Sequence, residues 1–194
     1  LTQMQAFQTN KDAGDIQTKL VYDATLLDDG TLDAADLNAL LGAGKILGSV
    51  GMTAATQVTG TESELDTFLT VNVANGKFSP SSSLTIDVSD TTPVTSVSAA
   101  KLNTYDLYVT GAGSVTASQA TTITGSVSDI STALTAAGIS VASDIDATFD
   151  TIATADAADV ADINTITANT TGTVSGTLTG TAAILDDLNA NAGF

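Results

Sequence analysis

The triplet Val58-Thr59-Gly60 returns as Ile123-Thr124-Gly125 and again as Leu178-Thr179-Gly180. Each copy sits in a longer match: QVTGTESELDTFL (57–69), TITGSVSDISTAL (122–134) and TLTGTAAILDDLN (177–189). A second element recurs upstream, as LDAADLNALL (32–41), VSAAKLNTYD (97–106) and TADAADVADINTI (154–166). Ala34 to Gly60 is 26 steps, Ala99 to Gly125 is 26, and Ala157 to Gly180 is 23. Within the first two copies the register holds, because Leu37 to Val50 and Leu102 to Val115 are both 13 steps. Self-similarity of this kind points to stacked units, each too small to bury its apolar face alone.

The apolar period assigns structure to each half. After the Gly, Leu65, Phe68 and Leu69 fall at i, i+3 and i+4, as do Ile130, Ala133 and Leu134, so each set shares one helical face. Thr61 with Glu64 has capping-box spacing, and Ser126 with Asp129 is a shorter version of it. Just before the Gly, β-branched residues favour a short strand, and the Gly turns the corner into the helix. The upstream half predicts a second helix, entered at Asp33, Ser98 or Thr154, with Leu37, Leu40 and Leu41 on one side. Strands precede that helix at LTIDVSD (84–90) and ISVASD (139–144). Asn75-Gly76 between alternating runs predicts an inserted hairpin, with SPSSS (79–83) as its return loop.

The expected fold is therefore α/β: a solenoid-like stack of strand-helix-strand-helix units with short helices and an inserted hairpin. An immunoglobulin-like β-sandwich is the alternative. The expected divisions are an N-terminal arm or cap over 1–30 and repeat unit 1 with the hairpin over 31–96. Repeat unit 2 follows over 97–153 and a partial unit 3 over 154–194. MQAFQTNKDAGDIQTKL, within the first thirty residues, has a helical pattern.

Composition narrows the function classes. Apolar residues make up 43% of the chain, yet it holds five Phe, three Tyr and no Trp, so the core must be thin layers of Val, Ile, Leu and Ala. Twenty Asp and two Glu stand against five Lys and no Arg, a net charge of −17. Such a chain repels nucleic acid, and it lacks the Arg that recognises phosphate bidentately. Without Cys or His there are no disulfides, no Cys or His metal ligands, no thiol nucleophile and no Ser-His-Asp triad. No window approaches the roughly 18 consecutive apolar residues of a membrane span.

The alternation of I-x-V-S-D strands, S-A-A-x-L-N helices and I-T-G-S/T-x-x-D-I helices resembles the Ala/Thr/Ser/Asp-rich repeats of very large bacterial cell-surface proteins. Such repeats occur in cyanobacterial and proteobacterial adhesin-like and surface-layer-like chains, and the resemblance spans about residues 31–194. It implies an extracellular structural or adhesive role and carries over no functional residue.

Four local patterns carry chemistry in other settings. DDGTLDAADL (28–37) places Asp28, Asp29, Asp33 and Asp36 near the spacing of a calcium loop, although Leu27 stands where a ligand belongs. The same Asp33-Ala-Ala-Asp36 aligns with Ser98-Ala-Ala-Lys101 and with Asp156-Ala-Ala-Asp159, which makes it a helix entry with acidic residues at the positive dipole end. GAGKILG (42–48) has glycine-run spacing but follows a helix where a phosphate loop needs a strand. The pairs Asp28/Asp29 and Asp186/Asp187 are adjacent, so their carboxylates point apart and fit solvated surface better than glycoside hydrolysis. Asn169-Thr170-Thr171 is an N-glycosylation sequon.

These features predict an extracellular or cell-surface structural protein rather than an enzyme: a self-assembling subunit or module of a surface filament, surface layer or adhesin stalk. The expected partner is self, as a homopolymer or as repeats of a parent chain. No cofactor is expected, with calcium as the exception to test. The alternatives are a ligand- or glycan-binding adhesin domain, whose partners are surface glycans, and a virion or tail fibre protein.

Overall fold

The computed structural model describes residues 23–27, 30–41, 48–89 and 95–189. In chain order the elements are β1 (Ala24–Thr25), β2 (Gly30–Asp33), α1 (Ala34–Leu41), β3 (Val50–Met52), β4 (Ala55–Gly60) and α2 (Glu62–Asp66). Helix α2 runs straight into a π-helix, Thr67–Val73, followed by β5 (Phe78–Pro80), β6 (Thr85–Val88), β7 (Ser96–Ser98) and α3 (Ala99–Asp106). The rest are β8 (Ser114–Ala117), β9 (Thr122–Gly125), α4 (Val127–Thr135), β10 (Ile139–Val141), β11 (Asp146–Phe149), α5 (Ala157–Asn169), β12 (Val174–Ser175) and α6 (Ala182–Asn189).

The fold is α/β with parallel sheets, and its strands and helices alternate. Every pairing between described strands for which a register is defined is parallel, which excludes the antiparallel immunoglobulin-like sandwich. Contacts divide the chain into two compact units, Leu1–Asp90 with Tyr108–Ser114, and Thr91–Leu107 with Val115–Phe194. In the first unit β1, β3 and β5 lie side by side, and so do β2, β4 and β6. In the second, β7, β9, β11 and β12 form one sheet in that order, and β8 pairs with β10.

The pairing register explains the 26-residue spacing. Ala24 faces Val50, Thr31 faces Gln57, and Ser96 faces Thr122, each pair 26 residues apart. Other ladder neighbours are 24 to 28 residues apart, so the recurring distance lies within the range of chain lengths that one parallel step takes. Each crossover carries the chain back to the same edge, as parallel pairing requires. Strands show one inward and one outward row: in β4 Ala55, Val58 and Gly60 are buried, while Gln57 and Thr59 reach toward solvent.

Helix positions follow the sequence pattern closely. Thr61 caps α2 in a full capping box, its Oγ1 accepting from the Glu64 amide while the Glu64 carboxylate accepts from the Thr61 amide. Ser126 Oγ accepts from the Asp129 amide at 3.1 Å. Ser98 stands at the N-cap of α3, and Asp33 Oδ1 takes the Ala35 and Asp36 amides at the start of α1. The third helix entry is Asp156, two residues later than expected. Its carboxylate accepts two backbone amides, and Asp159 completes a capping box that Thr154 does not form.

The inserted hairpin is not present. TVNV (70–73) continues the helix in π form, and β5 then runs parallel to β3, with Val50 opposite Phe78. Ser79 and Pro80, expected in a loop, belong to this strand. Asn-Gly is a turn signal because its Gly tolerates positive φ, and Gly76 does adopt φ +68. That same freedom closes a helix C-terminus. Here the Gly76 amide donates to the Val73 carbonyl at 2.9 Å and the Lys77 amide to the Asn72 carbonyl at 2.8 Å. Two apolar anchors decide between the outcomes, since Phe68 and Leu69 are buried and hold the segment as helix. The helical pattern MQAFQTNKDAGDIQTKL (4–20) lies outside the described residues.

The expected core is largely the observed one. Leu37, Leu40, Leu65, Phe68, Leu69, Ile130 and Ala133 are all buried. Leu41 and Leu134 are only half-buried, at the margin of their helical faces. Leu134→Ala is therefore expected to cost about 1 kcal/mol, below the 2–5 kcal/mol typical of a fully buried leucine. Chemical denaturation of the variant checks this, and a loss above about 3 kcal/mol would place Leu134 in the core.

Candidate assembly interface

The calcium pattern resolves into helix capping where it is described. Asp33 and Asp36 are exposed, and the Asp33 carboxylate is engaged by backbone amides at 2.8 and 3.3 Å. Asp28 and Asp29 lie outside the described residues, as does GAGKIL (42–47). Among the described residues no group of three or more carboxylates is arranged to hold a metal ion. Asp186 and Asp187 are both exposed on α6. Asn169 is exposed at the end of α5, its Nδ2 donating to the Thr165 carbonyl at 2.8 Å.

An apolar cavity of about 430 Å³ lies in the second unit among β11, β12, α5 and α6, lined by Phe149, Ile163, Val174, Leu178, Leu185 and Leu188. Among the described residues that line it, Ser175 contributes the one hydroxyl and none is titratable. The described wall offers shape and apolar surface.

What the structure does bring together are the repeated residues themselves, across one ladder step. The motif glycines each face an alanine of the preceding step. A Cβ at Gly60 would lie 2.9 Å from the Ala34 Cβ, at Gly125 3.6 Å from that of Ala99, and at Gly180 3.4 Å from that of Ala155. The third pairing corrects the alignment through Ala157 by two residues. Gly125 also has φ +145, a conformation that L side chains rarely adopt. At Gly60 the close approach between successive steps leaves no room for a side chain, whereas at Gly125 and Gly180 the facing alanine lies at ordinary van der Waals distance and Gly125 answers to its positive φ.

Two further devices use the same offset. Asn38 Nδ2 donates to the Glu64 carbonyl at 2.9 Å, and Asn103 Nδ2 to the Asp129 carbonyl at 3.0 Å, each 26 residues onward. The acceptors are the capping residues of the following helix, so cap and step contact share one position. Asn72 Nδ2 adds a bond to Asn38 Oδ1 at 2.8 Å, whereas the buried Asn103 Oδ1 has no partner among the described residues. The motif carbonyls complete the set: Gly60 accepts from the Ser89 amide at 3.1 Å and Gly125 from the Asp150 amide at 2.9 Å.

Acidic and hydroxyl side chains also bridge steps at the strand ends. Asp23 Oδ1 accepts from the Ser49 amide at 2.8 Å and from its hydroxyl at 2.9 Å. These bonds hold the Asp23 carboxyl below its ordinary range. Asp146 Oδ1 accepts from the Thr173 amide at 2.6 Å, Thr31 donates to Gln57 at 2.8 Å, and Thr148 pairs with Ser175 at 3.1 Å. The asparagine bonds were not anticipated from sequence. The signal is the Leu-Asn or Ile-Asn pair inside each upstream helix pattern, at 37–38, 102–103 and 163–164.

Comparison with known proteins adds no relative. No protein-family model matches the chain, and no curated protein and no solved structure matches it significantly.

Proposed function

We propose that this chain is an extracellular structural protein, a solenoid-like repeat module that self-assembles into, or forms part of, a surface filament, surface layer or adhesin stalk. One observation carries the reading. The Gly-Ala approach, the Asn-to-carbonyl bond and the glycine carbonyl bond join successive steps inside both units, with bonded partners 25 to 29 residues apart. An element whose two faces mate with copies of itself extends by addition, because each added step presents the face it has just covered. Strand β12 pairs with β11 alone among the described residues, so that sheet ends on an edge of the kind that accepts another strand. The resemblance to bacterial cell-surface repeats supports the same class. No helix among those residues is long and apolar enough to cross a membrane.

Negative-stain imaging of the purified protein tests the proposal. Regular filaments or sheets are expected. Dispersed monomers that bind members of a glycan array would favour the adhesin alternative instead.

The acidity gives a second expectation. With a net charge of −17, the folded chain confines carboxylates that repel one another. Monovalent salt should raise the melting temperature by screening. Calcium should raise it further at equal ionic strength if carboxylates of neighbouring copies converge, through weak sites on the order of 10⁻⁴ to 10⁻³ M. Thermal melts in millimolar calcium against chelator separate the two. Equal midpoints and equal assembly states would mean that the aspartates serve solubility alone.

A further inference from the structure

We propose that Asn75-Gly76 is a modification site that the fold holds closed: a succinimide-forming pair whose deamidation is released by opening of the helix end before β5. The reaction needs two groups to meet. The Gly76 backbone nitrogen, after losing its proton to solvent base, attacks the Asn75 Cγ. A bond forms between that nitrogen and Cγ, the Cγ–Nδ2 bond breaks, and ammonia leaves. Water then opens the ring at either carbonyl, giving aspartate or an isoaspartyl linkage. Water is consumed and ammonia released, with no oxidant, metal or enzyme required. Glycine at the second position is the most permissive partner, since no Cβ hinders the approach, and Asn75-Gly76 is the one Asn-Gly pair in the chain.

Both residues are exposed, so solvent base and water reach them. Yet each reacting group is tied down. The Gly76 N–H donates to the Val73 carbonyl at 2.9 Å, which keeps the nucleophile protonated and directed into the helix end. Asn75 Nδ2 donates to the Val71 carbonyl at 2.6 Å, which holds the side-chain amide back along the helix, away from the following peptide. The Lys77 amide, bonded to the Asn72 carbonyl at 2.8 Å, closes the turn behind them. Attack therefore requires at least the Gly76 and Asn75 side-chain bonds to break together, a local opening rather than a side-chain rotation.

The position makes the product consequential. The Lys77 carbonyl accepts from the Val50 amide at 2.8 Å, and the next residue, Phe78, is buried opposite Val50. An isoaspartyl linkage routes the main chain through the Asn75 side-chain carbons and lengthens the turn by one methylene. That displaces the first residues of β5 against β3. Aspartate at 75 adds a negative charge and loses the bond to Val71 but leaves the chain path unchanged.

The test compares one chain in two states. The full protein is aged in mildly basic buffer, folded in one arm and in denaturant in the other, and digests are read by mass spectrometry with isoaspartate detection. Denatured chain should convert at Asn75, and folded chain should convert more slowly by about tenfold or more, the factor set by the opening equilibrium. Sub-denaturing urea should raise the folded-state rate before global unfolding. Equal rates in the two arms, or no conversion at Asn75 in the denatured arm, would overturn the proposal. Asn75→Asp supplies the control for consequence: the isolated isoaspartyl form should melt below this variant, and equal melting would show that the β5 register does not depend on the turn.

Discussion

Phe68→Ala is expected to destabilise the protein by about 3–5 kcal/mol, the range for truncating a buried phenylalanine. The ring is fully buried on the π-helix and packs against Phe78 of β5, with centroids 5.3 Å apart and planes inclined at 51°. That tilted geometry adds roughly 0.5–1.5 kcal/mol beyond area burial. In a chain with five Phe and no Trp, few other side chains have the volume to refill the space. Loss of the pair also frees the segment that Phe68 holds helical against its Asn-Gly turn. Urea denaturation followed by circular dichroism measures the effect. A loss within about 1 kcal/mol would mean that the Phe68 site collapses around the gap, and that this pair is not an anchor.

Gly60→Ala is expected to cost about 1–3 kcal/mol, as overpacking of a close contact usually does. The added methyl would meet the Ala34 Cβ at 2.9 Å, nearer than van der Waals contact, while Glu64 crowds the other side at 3.3 Å. Neither obstacle moves freely, because Ala34 is buried in the first turn of α1 and the Glu64 carboxylate is held by the Thr61 amide at 2.8 Å. Removing the facing methyl should restore part of the loss. Ala34→Gly alone is destabilising through helix propensity by about 1 kcal/mol. The double variant should nonetheless be more stable than the sum of the two single losses predicts. Strict additivity in that double-mutant cycle would show that the motif glycine answers to its corner and not to the step before it.

Much of the helical half of the fold is legible in the sequence. Thr61 with Glu64 and Ser126 with Asp129 mark their helices because a cap is a local device, readable within four residues. The long apolar faces Leu65-Phe68-Leu69 and Leu37-Leu40 are equally local. Shorter strands are not. Val50–Met52 and Val174–Ser175 span two or three residues, too few for alternation to declare itself, and most of their strand character comes from the ladder partner. The 26-residue spacing was visible between Ala34 and Gly60, but its meaning as a ladder offset depends on which residues face each other across a step. One signal misled for a physical reason. Asn-Gly serves a hairpin turn and a helix end alike, since both need positive φ. Aspartate at a helix entry has the same spacing as part of a calcium loop, and in the described part of that pattern Asp33 Oδ1 accepts from two backbone amides.

Sedimentation velocity over a concentration series tests self-assembly most directly. If step faces mate between copies as they do within each unit, the weight-average sedimentation coefficient should rise with concentration. A single monomeric boundary at all concentrations, with and without calcium, would contradict assembly by this protein.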